Sequence, residues 1–317
     1  MAVGADGTIY VGLAQPQAVI AVDPATGAVK KRAVLDSAEI ASTKELVTLR
    51  TNADRTRLYI ANGSDESASI LSLPSLGVIR EITMEGETIR DAVPDPRGRY
   101  VYLLGRRVHV FDKDGRTELR TLGDSEPMAI AVSASGALLA VVATEDFGNA
   151  KATSVALYDT NTWNEVARDP LQTQATIESV QFANGDRALV ALSREYLFEK
   201  PLISRASRPM VRDGATGAMR VTIDFGDLVN SDRVCLPQGS GPQIATFASL
   251  DTLLVYGERR CSASGAFSGS SRGVTPASLY GIDAYALAYS KSANTIVATE
   301  RAGFLTIYSV PRPALAK

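Results

Sequence analysis

Histidine and tryptophan occur once each in this 317-residue chain, as His109 and Trp163, and cysteine twice, as Cys235 and Cys261. A single histidine leaves no pair for a haem or a His-rich metal site. A Ser-His-Asp triad would have to use His109, and no G-x-S-x-G elbow supports one. Neither cysteine has a C-x-x-C spacing, so the zinc and redox motifs built on it are absent. Gly, Pro or charge interrupts every apolar run well short of the ~20 residues of a membrane-spanning helix. A surplus of one charge is missing too: 33 Lys+Arg stand against 35 Asp+Glu, for a net charge of -2. Holding a phosphate backbone needs a basic surplus, so nucleic acid is not an expected partner. Residues 1–7 show no basic region, apolar stretch and cleavage site, and hence no visible export signal. What the chain does have is 45% hydrophobic residues. That is ample for a large core and excludes a disordered tail or a small disulfide-stapled module.

One phrase recurs through the chain: an apolar strand with small residues, a turn rich in Asp, Asn, Ser or Gly, then a second apolar strand with β-branched or aromatic residues. Examples are Ala2-Val3 before Ile9-Tyr10-Val11, Leu46-Val47-Thr48-Leu49 before Leu58-Tyr59-Ile60, and Ala129-Ile130-Ala131-Val132 before Leu138-Leu139-Ala140-Val141. Seven copies occur, with Gly7, Arg55, Gly98, Gly136, Gly185, Asp251 and Ala293 at equivalent turn positions, 38 to 66 residues apart. A third and a fourth short strand follow most copies, as in Ser69-Ile70-Leu71-Ser72-Leu73 and Val78-Ile79-Arg80-Glu81-Ile82. This period predicts an all-β fold, a seven-bladed β-propeller of four-stranded antiparallel blades, in one domain over residues 1–317. Blades are expected to start near residues 1, 45, 89, 127, 177, 243 and 284. A β-sandwich pair gives no reason for one phrase to recur seven times. The first blade opens on a very short strand and the last closes on Phe304–Val310 with no outer strand, so the terminal blades read as incomplete. Closed rings avoid open edges. The expectation is that residues upstream of Met1 carry the missing strand and an export signal.

The segments Arg57-Leu58-Tyr59-Ile60-Ala61-Asn62, Ile9-Tyr10-Val11-Gly12 and Val155-Ala156-Leu157-Tyr158-Asp159-Thr160 resemble the YVTN-type propeller repeat. The resemblance is clear in about half the blades and implies a fold close to WD40-like propellers. The family mixes surface-layer-like proteins, lactonase-like hydrolases and electron-transfer subunits, so the resemblance implies no single activity. Ala21-Val22-Asp23-Pro24-Ala25-Thr26-Gly27 is also similar to the repeat of quinone-cofactor propellers. Lys31 stands where a tryptophan closes that motif, and one tryptophan cannot dock every blade.

Propeller topology puts the loop after strand two and the loop before strand one on the same rim. That rim collects Asn62, Arg106, Glu145, Arg194, Glu195, Glu258, Arg259, Glu300 and Arg301. Such a ring could hold a cation on Asp, Glu and Asn oxygens, or a carboxylate or phosphate on paired arginines. Each is equally a solvated loop charge. Two insertions enlarge this face: residues 194–201, whose aromatics suit partner contact, and residues 262–271, whose Ser and Gly suit a mobile loop. The same topology brings Cys235 and Cys261 to this rim and predicts a disulfide between them, which would favour a periplasmic or cell-surface location. His109, in the alternating strand Val108-His109-Val110, reads as a residue that packs or meets water. Two functions are expected in order: a non-catalytic binding scaffold for a protein or a small polar ligand, with no cofactor, then a lactonase-like hydrolase with a divalent cation such as calcium on rim carboxylates.

Overall fold

The computed structural model of the chain describes residues 1–14, 17–35, 47–62, 66–123, 126–147, 150–173, 175–183, 186, 188–199, 202–213, 219–222, 244–247, 252–255, 265–270, 273–278, 284–290, 295–300 and 305–309. The described strands form seven antiparallel sheets, six of four strands and one of three. Sheet one holds β1 (Ala2–Val3), β2 (Ile9–Ala14), β3 (Gln17–Val22) and β4 (Val29–Val34). Sheet two holds β5 (Val47–Thr51), β6 (Arg57–Asn62), β7 (Ser67–Ser72) and β8 (Val78–Thr83). Sheet three holds β9 (Asp91–Pro94), β10 (Tyr100–Leu104), β11 (Val108–Asp112) and β12 (Glu118–Leu122). Sheet four holds β13 (Pro127–Val132), β14 (Leu138–Phe147), β15 (Ala150–Asp159) and β16 (Glu165–Thr173). Sheet five holds β17 (Ala175–Ala183), β18 (Ala188–Glu199), β19 (Leu202–Asp213) and β20 (Met219–Thr222). Sheet six holds β21 (Ile244–Phe247), β22 (Thr252–Val255), β23 (Gly265–Ser270) and β24 (Gly273–Ser278). Sheet seven holds β25 (Ala284–Ser290), β26 (Thr295–Glu300) and β27 (Leu305–Ser309).

Strands pair in sequence order within every sheet, and the first strands meet one another in turn. β1 touches β5, β5 touches β9, and the series runs through β13, β17 and β21 to β25, which touches β1. The second strands β2, β6, β10 and β14 are buried on both faces, because each of these sheets is covered by a neighbour on either side. The side-chain period of two therefore splits one strand between two interfaces. Leu58 and Ile60 pack on Tyr10 and Val19 of sheet one, while Tyr59 and Ala61 pack on Val101 and Leu103 of sheet three. Tyr102 and Leu104 face Leu139 and Val141 of sheet four, and Ala140 and Val142 face Val180 and Phe182 of sheet five. Leu58, Leu103 and Leu139 are wholly buried, and each such side chain contributes about 1.5–3 kcal/mol.

The hairpin between first and second strands needs one residue in the left-handed region, where a side chain is strained. Gly7, Arg55, Gly98 and Gly136 take it, with φ of 85, 57, 68 and 65°. In sheet five the residue is Asp186, at 69°, one position beyond the expected Gly185. Asp186 carries a second task, accepting the backbone N–H groups of Ala134 (2.6 Å) and Ser135 (2.8 Å) in the preceding hairpin.

Outer strands share an irregularity. Register slips by one between β11 and β12 at Val110/Phe111, and the same slip occurs in sheets one, two, four and five. The extra residue is Lys30, Ile79, Leu119, Val166 or Arg220, which accounts for three of the large exposed apolar side chains, Ile79, Leu119 and Val166. Bulges of this kind blunt an open sheet edge.

Candidate binding rim

The rim formed by the turns after second strands and the segments before first strands is best defined at sheet three. Glu87 lies in the segment joining β8 to β9. Its Oε1 accepts the consecutive backbone N–H groups of Arg106 and of Arg107, the latter at 3.2 Å. Both of its oxygens lie 3.1 Å from His109 Nε2, and His109 Nδ1 is 2.8 Å from Glu118 Oε1. Thr121 Oγ1 donates to the same Glu118 oxygen at 2.8 Å. Glu118 and Thr121 are three apart, and they reach the same face of the sheet because Leu119 is the bulged residue between them.

His109 is thus a buried ring between two carboxylates rather than a strand residue facing water. Both of its nitrogens are within hydrogen-bond distance of carboxylate oxygens. Burial opposes ionisation of Glu87, but the hydrogen bonds from His109 and from the Arg107 and Arg106 amides prevail and hold its carboxyl below the usual value. The turn between β10 and β11 is fixed from inside by this carboxylate, leaving the Arg106 and Arg107 side chains exposed. Gly105 permits the arrangement, since a Cβ there would collide with the Glu87 carboxyl group.

Two further arginines stand closer to the ring of first strands. Arg90 Nη2 donates to Gly105 O at 2.6 Å and to Pro127 O, joining sheets three and four, and lies 4.0 Å from Glu126. Arg50 on β5 grips Asp91 on β9 with Nη2–Oδ2 at 2.9 Å and Nε–Oδ1 at 3.4 Å, and the Asp91 charge raises the Arg50 pKa. Neither Arg50, Arg90 nor Glu87 is conspicuous in the sequence, because none ends a second strand. Only contacts across 15 and 22 positions place Arg90 and Glu87 at the rim, and Arg50 stands below it on β5, paired with Asp91 41 positions on.

Of the expected rim residues, Arg106 lies in the pinned turn, and Asn62 ends β6 opposite Val47. Glu145 is inside β14, paired with Ala152, and Arg194 and Glu195 are inside β18, paired with Ser207 and Ala206. The expected insertion at 194–201 is therefore largely ladder, not loop: β18 and β19 extend as a hairpin to the pair Glu199 and Leu202. β14 and β15 do the same to Phe147 and Ala150. Gly265–Ser270, expected as part of a mobile loop, is the third strand of sheet six. Glu300 ends β26 opposite Ala284. Glu258, Arg259, Arg301, Cys235 and Cys261 lie outside the described residues. Among the described residues, no three His, Cys, Asp or Glu side chains are grouped to hold a metal ion, and no helix is long and apolar enough to cross a membrane.

No protein-family model matches the chain, and no curated relative matches it. Solved structures do. A chain of Kuenenia stuttgartiensis hydrazine synthase superposes with a TM-score of 0.73 at 14% identity, covering 98% of this chain and 94% of that one. A chain from the crystal structure of the mitotic checkpoint complex gives 0.70 at 15% identity, covering 98% and 86%. Both are propeller-type folds. The chain is a β-propeller. At these identities the likeness extends to the fold alone. The second propeller neighbour belongs to a protein complex.

Proposed function

We propose that this propeller is a non-catalytic binding scaffold of the YVTN type, and that its rim recognises a protein or a small polar ligand. The observation that carries the reading is the pinned Gly105–Arg107 turn. A carboxylate–imidazole–carboxylate chain and two backbone amides hold a loop that presents two exposed arginines, neither with an ion pair among the described residues. Rigid presentation of exposed donors lowers the ordering cost of association. The extended hairpins of sheets four and five carry Glu145, Arg194 and Glu195 beyond the length of the other blades. A propeller neighbour in a protein complex fits the same reading. The alternative, a lactonase-like hydrolase, would gather carboxylates around a divalent cation. At sheet three Glu87 and Glu118 instead face His109.

Thermal unfolding with EDTA, then with calcium, magnesium, manganese or zinc, separates the two. A native-state ligand raises the midpoint by mass action. The scaffold reading expects the same midpoint in every condition, whereas a clear rise with one cation, accompanied by turnover of a lactone or ester, would replace it with the hydrolase. A Cys235–Cys261 disulfide belongs to the same proposal, and peptide mapping without reductant that recovers two free thiols from protein made under oxidising conditions would remove it.

A further inference from the structure

Charge sets β4 apart from the other outer strands. Val29-Lys30-Lys31-Arg32-Ala33-Val34 has three cations and no anion. The outer strands of the next three sheets carry both signs: Arg80 with Glu81, Glu118 with Arg120, and Glu165 with Arg168, the last two bonded at 2.8 Å. Lys30 is the bulged residue and bonds Asp23 at 2.8 Å, but Lys31 and Arg32 form no ion pair among the described residues. β4 is also open. It pairs with β3 alone among the described strands, every residue but Ala33 is exposed, and Val29 and Val34 are 60% and 54% accessible. Skipping Lys30 in the register puts Val29, Arg32 and Val34 on one face and Lys31 with Ala33 on the other.

A single-sign edge repels a second copy of itself, which is how lysines guard sheet edges. The same charges attract an extended segment of opposite sign, and the unpaired backbone groups of β4 supply the ladder for it. We propose that β4 is a docking edge for an extended acidic segment of a partner protein, which adds to sheet one as a fifth strand. Its carboxylates would lie opposite Lys31 and Arg32, and its apolar residues against Val29 and Val34. This edge is on the side wall of the propeller and stands whether or not the rim binds anything.

The test uses the full chain and two capped synthetic pentapeptides, Val-Thr-Glu-Glu-Val and Val-Thr-Lys-Lys-Val, which in an antiparallel register set their valines opposite Val34 and Val29 and their charged pair opposite Arg32 and Lys31. Amide hydrogen exchange should slow at residues 29–34 with the glutamate peptide only, and binding should weaken with salt. The variant K31E/R32E, at exposed positions, should keep its unfolding midpoint and bind the glutamate peptide roughly tenfold less tightly or worse. V29T/V34T should weaken binding without changing its salt dependence. Unchanged exchange at residues 29–34, or equal binding of both peptides, overturns the proposal. Concentration-dependent dimerisation abolished by K31E/R32E would identify a second copy as the occupant and overturn it too. So would wild-type protein that sediments with phosphatidylserine-containing vesicles but leaves the glutamate peptide unbound.

Discussion

At the scale of single residues, the chain spends its rarest side chains on junctions between sheets. Trp163, at φ 63° in the turn between β15 and β16, crosses back to sheet three and meets Tyr100 edge-on at 4.9 Å and Tyr102 at 6.3 Å. As the sole tryptophan, it reports on one interface only. Its fluorescence should change in a single step at the unfolding midpoint, and Trp163→Ala should lower stability by about 3 kcal/mol in urea titrations. His109 is the other rare residue. Replacing Glu87 with alanine strips partners from His109 Nε2 and from the amides of Arg106 and Arg107, so Glu87→Ala should destabilise by about 1–3 kcal/mol. Arg106→Ala leaves the backbone amide in place and should stay within about 0.5 kcal/mol of the parent. Equal effects from both would show that the pinned turn contributes nothing. None of this was legible from His109 in its strand. Its partners lie 22 residues before and 9 after, and the second depends on a bulge that no alternation of residue types announces.

At the scale of elements, turns and second strands were the readable part. The four expected turn positions that lie among the described residues, Gly7, Arg55, Gly98 and Gly136, all have positive φ, including the non-glycine Arg55, because the tight hairpin demands it whatever residue stands there. Strand ends were less readable. The residues of 138–159 and 188–213 satisfy a loop as well as a ladder in one-dimensional pattern, and only pairing across the hairpin decides. The turns also set an acid limit. Thr56 bonded to Asp54, the Thr162 amide bonded to Asp159, and Arg57 bonded to Asp114 each hold the carboxyl below its usual value. A depressed folded pKa gives stability that is present above the unfolded value and is lost as pH falls through the folded one. The unfolding midpoint should therefore drop as pH is lowered below about 4, the carboxylate range of an unfolded chain. A midpoint unchanged down to pH 2 would show that these caps carry no weight. Substituting threonine for the exposed, bulged Leu119 should alter stability by no more than about 0.5 kcal/mol.

At the scale of the molecule, the sheets are strapped together on the face opposite the rim by arginines at the starts of second strands. Arg57 reaches Lys113 O (3.3 Å) and Asp114 (3.1 Å) of sheet three. Arg99 reaches Asn161 (2.7 Å), Gly136 O (2.8 Å) and Thr160 (3.0 Å) of sheet four, while its Nε bonds Asp95 at 2.9 Å. The straps differ in burial, and that decides their weight. Asp95 is fully buried, so Arg99→Ala leaves an uncompensated charge inside and should cost about 3–5 kcal/mol. Asp114 is partly exposed, so Arg57→Ala should cost about 1 kcal/mol or less. A double-mutant cycle, Arg99→Ala with Asp95→Asn, checks the assignment: the coupling should be large, and additivity would refute it.

Both of these straps run forward along the chain, from an arginine to residues made later. Arg57 waits for a partner 57 positions on, and Arg99 for one 62 positions on. At ribosomal rates of 5–20 residues per second this is a delay of about 3–12 s. During synthesis, then, sheets two and three emerge unfinished, and each is sealed only once its successor has been made.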